Sequence, residues 1–249
     1  MAVSSIISLL IIAHIEHLWA KPNIKVQADY DLYIDHDWGN LNLTQYVAIQ
    51  NTGDANGSIL KIKGLIRNKE TKEIVCNFTE VGIESFGHFV PLVNFILMPY
   101  GNYSGLIRFS KLNTEDDKQY IANTKNYIFK YLDTFIQRHP YKRPYVPDDK
   151  FIGQKEFIKN KLDKFSQGSY EYFIQIMCDY QIDPLFEQAF SFSIFPADKE
   201  QLLQKTQEYQ TGQNIYFKET NIPPKWGIHV NLIRIVDNQI INELRSKIQ

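Results

Sequence analysis

The sequence predicts a mainly β protein: an immunoglobulin-like antiparallel β-sandwich of about eight strands, with a helical insertion at residues 113–167 and a C-terminal helix. Two observations support this prediction. Between Pro22 and Lys111, apolar and polar residues alternate in short runs separated by turn-forming residues, which is typical of half-buried antiparallel strands. After residue 113 the apolar residues recur at helical spacing instead. Helices are therefore expected to interrupt a β framework.

The first strand shows the pattern most clearly, because Ile24, Val26 and Ala28 alternate with charged or polar neighbours. A dense turn, Asn51 to Gly57, closes the second strand. We expect early strands at 24–35, 43–50, 58–67, 73–79, 89–98 and 103–109, followed by late strands at 170–180 and 186–195 and a short edge strand at 214–217. Two late strands cannot bury both faces alone, so they are expected to pair with the early unit.

The helices are predicted from caps and spacing. Thr114 followed three residues later by Asp117 resembles a capping box, and apolar residues then recur at helical spacing to about Gln137. Three prolines between His139 and Pro147 predict a loop. Further helices are expected at 154–165, 198–210 and about 225–247, the last with five inward-facing residues: Ile228, Leu232, Ile235, Ile241 and Leu244.

Composition excludes several classes of protein. The chain has 249 residues, of which 44% are hydrophobic, so it can bury a large core and is not disordered. The net charge is -1, which removes the whole-chain electrostatic argument for a nucleic-acid partner. Two cysteines, Cys76 and Cys178, exclude a disulfide-dense scaffold and an all-cysteine zinc site.

The N-terminal segment is apolar on every side of a helix. Residues 2–13 carry no charge, but twelve residues rise only about 18 Å. Extension to Trp19 gives about 27 Å, close to the hydrocarbon thickness of a bilayer. Lys21 and Lys25 follow and favour a cytoplasmic position for the next domain. We expect residues 1–20 to hold a membrane anchor within residues 2–19, and residues 21–249 to form the β domain. A buried core helix and a signal peptide remain alternatives.

One acidic cluster invites a metal-site interpretation. Asp29, Asp31, Asp35 and Asp37 lie beside His36, and carboxylates suit Ca²⁺ or Mg²⁺. Alternation along the first strand, however, predicts that Asp29, Asp31 and Asp35 face solvent. We therefore predict no metal site and no cofactor.

The inserted segment is the one compositional anomaly. Residues 111–165 contain 12 Lys and Arg against 8 Asp and Glu, in a chain whose total charge is -1. Such a surface suits an anionic partner, either a protein or the lipid headgroups beside an anchor; the alternative is a solvated face over an aromatic core. The candidate binding residues are Lys142, Arg143, Lys155, Lys159, Lys161 and Lys164.

The first 110 residues resemble a loose group of bacterial proteins, most of them without an assigned function. The resemblance rests on the apolar opening, on residues 19–26 (WAKPNIKV) and on residues 47–53 (VAIQNTG). These proteins carry a single N-terminal membrane helix and an immunoglobulin-like β-sandwich. The resemblance implies a tethered β domain and no catalytic residues.

The leading hypothesis is a membrane-associated, non-enzymatic binding, sensing or adaptor domain in the cytoplasm. One alternative is a hydrolytic enzyme whose site is assembled only in the fold. It requires at least two of five residues to converge in one pocket: Asp29, Asp35, His36, His88 and His229. Another alternative is an exported sandwich that binds a ligand.

Overall fold

The computed structural model describes residues 20–78, 80–85, 88–92, 95–111, 113–213, 215–216 and 227–248. These residues form a mainly β protein with two antiparallel sheets, which confirms the predicted class. Twelve strands are present among them, more than the eight expected. The predicted anchor, residues 2–19, lies outside the described residues. Within the described part of the chain, no helix is long and apolar enough to cross a membrane.

The first sheet is built around a long hairpin. Strands β1 (Ile24–Asp37) and β2 (Asn40–Asn51) pair from end to end. The remaining strands are β5 (Glu80–Ser85), β6 (His88–Pro91), β8 (Asn102–Ser110) and β11 (Ile228–Asn231), in the order β11-β1-β2-β8-β5-β6.

The second sheet joins early and late strands. Strand β3 (Gly57–Asn68) pairs with β9 (Gly168–Cys178), so the strands after the insertion belong to the same sheet as those before it. The remaining strands are β4 (Ile74–Phe78), β7 (Phe95–Leu97), β10 (Phe186–Ile194) and β12 (Ile233–Ile235); the order is β12-β10-β9-β3-β4, and β7 also pairs with β3. The single predicted strand at 89–98 is wrong, because β6 and β7 divide this segment between the two sheets.

The two sheets pack face to face around a continuous core. The Phe109 ring of the first sheet lies 6.2 Å from the Tyr172 ring of the second. A Cβ at position 64 would lie 2.8 Å from Phe109, so only glycine permits this approach. Within the core, the Tyr172 hydroxyl donates to Gln45 Oε1 at 3.0 Å, which pairs two polar groups that would otherwise be buried without partners.

Five helices lie outside the sheets in the described part of the chain. They are α1 (Glu115–Arg138), α2 (Asp148–Leu162), α3 (Pro196–Gln204), α4 (Thr206–Gln210) and α5 (Asn238–Arg245). Thr114 caps α1 by accepting the Asp117 N–H at 3.2 Å, as the sequence predicts. Helix α2 begins six residues before the predicted start, and the predicted helix 198–210 is interrupted at Lys205.

The predicted C-terminal helix at 225–247 is wrong over its first half. Residues 228–231 and 233–235 form β11 and β12, and only α5 is helical. Ile228 and Leu232 are four residues apart, a spacing that fits one face of a helix and one face of a strand equally well. Of the predicted edge strand at 214–217, residues 215 and 216 lie in a turn and the other two lie outside the described residues.

Strand directions define two ends of the protein. At the Ile24 end, where β1 begins, Gly57 and Ile24 lie against each other. At the opposite, helix-covered end, the β1–β2 turn contacts α2 and α4. Helix α5 instead covers the outer face of the second sheet, with Leu244 fully buried there.

Candidate functional site

The tight turn between β1 and β2 fixes the helices at the helix-covered end. Trp38 and Gly39 have φ angles of 50° and 86°, a left-handed geometry that glycine adopts readily and tryptophan rarely. A Cβ at position 39 would lie 2.8 Å from the Lys161 Cβ and 3.0 Å from the Ile158 carbonyl oxygen. Helix α2 therefore packs directly on the backbone of this turn.

Contacts with α4 hold Trp38 in its strained backbone conformation. Its fully buried ring stacks on Tyr209, with the ring centroids 4.4 Å apart. The Trp38 N–H donates to the Tyr209 hydroxyl at 3.2 Å, and that hydroxyl donates to Asp37 Oδ1 at 3.3 Å. Burial, and then the Asp37 carboxylate, raise the pKa of Tyr209 far above its usual value. The phenol therefore stays protonated at physiological pH, and its hydrogen bonds hold α4 against the turn.

His36 connects the same turn to α3. Its Nε2 donates to the Leu202 carbonyl oxygen at 2.8 Å, while Nδ1 accepts the Gly39 N–H at 3.1 Å. The Lys205 ammonium donates to the His36 carbonyl oxygen. Burial, and then the neighbouring Lys205 cation, lower the pKa of His36 to about 4. The imidazole is therefore neutral at physiological pH, and both of its nitrogens are occupied in holding the fold.

The Pro-rich loop between α1 and α2 is anchored by Gln210, at the end of α4. The Val146 N–H donates to the Gln210 carbonyl oxygen at 2.9 Å, and Gln210 Nε2 lies 3.3 Å from the Val146 carbonyl oxygen. The same amide nitrogen donates to Asp148 Oδ1 at 2.9 Å and to the Tyr145 hydroxyl at 3.1 Å. Val146 and Gln210 are both buried, so the second half of the loop is fixed to the body of the protein.

The first half of this loop projects into solvent. Tyr141 is 100% exposed, and the neighbouring Lys142 and Arg143 are exposed as well. Neither cation forms an ion pair with any residue that the structure describes. Pro140 and Pro144 flank the three residues and restrict their backbone. We call residues 141–143 the loop tip: an aromatic ring and two cations on a constrained, anchored loop.

The structure separates the four predicted binding lysines of α2 and its C-terminus into two groups. Lys155 donates to Asp148 at 2.6 Å, and Lys161 donates to Asp117 of α1, also at 2.6 Å. Lys161 therefore joins α2 to α1, whereas the Lys155 pair lies within α2. Lys159 and Lys164 are exposed and, within the described ranges, form no ion pair. They therefore present positive charge to solvent at the C-terminal end of α2.

Tyr141 belongs to the loop tip and the buried Gln210 anchors the loop, but neither is among the residues predicted to bind. Tyr141 carries a signal in the sequence, since an aromatic residue between two prolines in a predicted loop has no core to enter. Gln210 carries none, because its contact with Val146 joins residues 64 positions apart.

The acidic residues of β1 lie in separate environments. Asp29 and Asp31 are exposed, as predicted, but Asp35 is only 4% exposed. The prediction for Asp35 is wrong because the carboxylate accepts from Asn42 at 2.8 Å and lies 3.5 Å from Arg108, a pairing across strands that the sequence of β1 alone does not show.

His229 and His36, two of the five residues that the hydrolytic alternative requires, have different partners. Asp31 pairs with His229 at 2.9 Å on the surface, whereas His36 contacts Leu202 and Gly39 inside the protein. The side chain of His88 lies outside what the structure describes. Across the described ranges, no group of three or more His, Cys, Asp or Glu residues is arranged to hold a metal ion.

Comparison with models of known protein families finds no match to the sequence. A search of curated proteins finds no similar sequence either.

Proposed function

We propose that the protein is a membrane-tethered, non-enzymatic binding or adaptor domain whose loop tip binds an acidic surface on a partner protein. The tether is residues 2–19, and the β domain lies in the cytoplasm. The observation that carries the proposal is the loop tip. There a fully exposed tyrosine and two cations, unpaired among the described residues, stand on a loop anchored by Gln210.

The chemistry of the loop tip suits a protein partner. Tyrosine and arginine are the residue types that most often dominate binding energy at protein interfaces. Arginine can form two parallel hydrogen bonds to one carboxylate. A loop that is already constrained loses less conformational entropy on binding. These properties favour specific contact with Asp and Glu side chains over diffuse attraction to charge.

The position of the loop tip argues against the lipid headgroups beside the tether. Strand β1 has 14 residues between the Ile24 end and the turn at the helix-covered end, a span of about 40 Å. Physiological salt screens charge over about 8 Å. If the chain leaves the membrane just before Ile24, cations at the opposite end do not sense that membrane. We therefore propose an acidic surface on a protein, and not the lipid headgroups, as the partner of the loop tip.

For the fold, we infer that the two sheets form an immunoglobulin-like sandwich of the tethered bacterial kind that the N-terminal residues resemble. The antiparallel pairing of both sheets and their shared core support this inference. The helical insertion is then an addition that creates the binding surface.

The partner can be detected with a photo-crosslinking amino acid at position 141 of the full chain, expressed in its native cells. We expect a discrete protein adduct that disappears in the K142E/R143E variant. The same crosslinker at Tyr127, which is 42% exposed on α1, is the matched control and should give no such adduct. An adduct that persists after charge reversal, or one formed only with lipid, would contradict the proposal.

The tether is tested separately by fractionation. The full chain should remain with membranes after an alkaline wash, whereas a chain beginning at Lys21 should be soluble and keep its circular dichroism spectrum. If the shortened chain unfolds, residues 2–19 belong to the core and the tether is wrong.

A further inference from the structure

Asn51 fixes the path of the chain at the Ile24 end. Its fully buried side chain accepts the N–H groups of Asn23 at 3.1 Å and Gly53 at 3.0 Å through Oδ1. Its Nδ2 donates to carbonyl oxygens of two further segments, Ala55 at 2.7 Å and Met98 at 3.1 Å. One amide thus joins the start of β1 to both loops that surround it.

The residues before β1 lie directly on one of these loops. A Cβ at position 53 would lie 2.2 Å from the Lys21 carbonyl oxygen and 2.5 Å from the Asn23 nitrogen. The Thr52 N–H donates to the Asn23 carbonyl oxygen at 2.8 Å. The point at which the apolar N-terminal segment joins the β domain is therefore held rigidly against the Ile24 end.

Large apolar side chains are exposed around this point. Met98 follows β7, its carbonyl oxygen bound by Asn51, and Tyr100 lies in the next turn, where its hydroxyl donates to Asp54. Ile96 of β7 pairs with Ser58, and Ser58 exchanges two hydrogen bonds with Asp179 at the start of the β9–β10 turn that carries Ile182. The exposed fractions are 59% for Ile96, 63% for Met98, 69% for Tyr100 and 96% for Ile182. We call these four residues the apolar rim.

The charges near the apolar rim are mixed. Lys21 and Lys25 stand against Asp54, Asp179 and Asp183, two cations against three carboxylates. A surface of this kind has no strong preference for anionic lipid. It combines exposed apolar side chains with a tyrosine, a residue type that is enriched at the boundary between headgroups and hydrocarbon.

We propose that the apolar rim lies in the headgroup layer of the membrane that holds residues 2–19. The inference rests on the proposed tether and adds an orientation to it. Contact at two places, the tether and the rim, holds the Ile24 end of β1 at the membrane and directs the opposite end, with the loop tip, into the cytoplasm. The lipid ligand is a zwitterionic bilayer surface, because the contact is apolar and not electrostatic.

The test uses the full chain reconstituted into phosphatidylcholine vesicles, with an environment-sensitive fluorophore on a cysteine at position 98. The native Cys76 and Cys178 are buried, so labelling is directed to the new thiol. Ile152→Cys is the matched control, since Ile152 is also apolar and 59% exposed but lies on α2 at the helix-covered end. We expect a blue-shifted emission at position 98 that is quenched by lipids carrying a nitroxide near the headgroup, and neither effect at position 152.

Each other outcome overturns the inference in a recognisable way. A blue shift without lipid quenching means that residues 2–19 or a second copy of the chain cover the rim. Equal spectra at positions 98 and 152 mean that the rim is in water while the tether stands. If the full chain does not float with vesicles at all, the tether fails, and the orientation fails with it. A salt-dependent blue shift that requires anionic lipid would show that charge, not apolar contact, carries the association.

Discussion

Arg67 and Glu171 form an ion pair on the outer face of the second sheet, where neighbouring strands β3 and β9 place them opposite each other. Arg67 Nε lies 2.7 Å from Glu171 Oε2, and the two side chains are only 4% and 0% exposed. Lys72 approaches Glu171 at 3.3 Å, and Glu243 of α5 approaches Arg67 at 3.2 Å. The pair therefore joins the sheet to the C-terminal helix.

Removing one member of this pair should be strongly destabilising. We expect Arg67→Met to lower the free energy of unfolding by about 3 kcal/mol, because Glu171 would keep a buried charge with only Lys72 beside it. The double variant R67M/E171M should recover most of this loss, since it removes both charges. Urea denaturation followed by circular dichroism measures both. A double variant no more stable than the single one would show that packing, not the unpaired charge, sets the loss.

Helix α5 should depend on Leu244. The side chain is fully buried among Leu65, Phe173 and Ala189, so Leu244→Ala should reduce the free energy of unfolding by about 2–4 kcal/mol. Ile233→Ala, at a position that is 69% exposed, is the control and should change stability by less than about 0.5 kcal/mol. Similar values for both would mean that α5 is not docked on the sheet in solution.

Acid should destabilise the protein through His36. Burial lowers its pKa from the ordinary 6.5 to about 4 in the folded protein, so the unfolded chain binds a proton that the folded chain does not. The contribution of neutral His36 to the free energy of unfolding is therefore fully present above pH 6.5. It is lost as the pH falls from 6.5 to 4, which lowers the free energy of unfolding by up to about 3 kcal/mol. Unfolding curves across this range should show that slope. His36→Gln should flatten it; an unchanged slope in the variant would assign the effect to other groups.

Gln210 should affect partner binding indirectly, because it holds the loop in place and is not itself in contact with the partner. Gln210→Ala removes the amide that binds Val146 and Asp148, and we expect a loss of about 1–2 kcal/mol in stability. Adduct formation from position 141 should fall as well, because a loosened loop loses more entropy on binding. Gln213→Ala, at an exposed residue shortly after the end of α4, is the matched control. Full adduct formation in Gln210→Ala would show that anchoring is not needed.

The strands of this protein could be predicted where one face is buried and the other is solvated. In β1, Leu32 and Ile34 point inward and alternate with more polar residues, and this pattern needs only local sequence. The same alternation is present in Ile228, Val230 and Leu232, which are buried, with exposed residues between them, but Ile228 and Leu232 also fit a helical spacing, and the prediction of a helix there was wrong. What local periodicity does not reveal is the change of sheet after Leu232, where the chain passes from β11 to β12.

The candidate site was only partly predictable for a similar reason. Composition located the basic insertion and the loop with Lys142 and Arg143. It could not separate Lys161 from Lys159, because the partner of Lys161 is Asp117, 44 residues away on another helix. Which cations are free to bind depends on how α1 and α2 pack, and this information is not contained in the charge count.

Strands β11 and β12 are separated by Leu232 alone, yet they pair with different sheets, β11 with β1 and β12 with β10. The Leu232 N–H donates to the Tyr30 carbonyl oxygen at 2.7 Å, so one short segment closes the same side of both sheets. During synthesis, the ribosome reaches this segment after every other described strand. Until then β1 and β10 both present open edges, which are sites for unwanted pairing between chains. A nascent chain stalled before residue 228 should therefore aggregate.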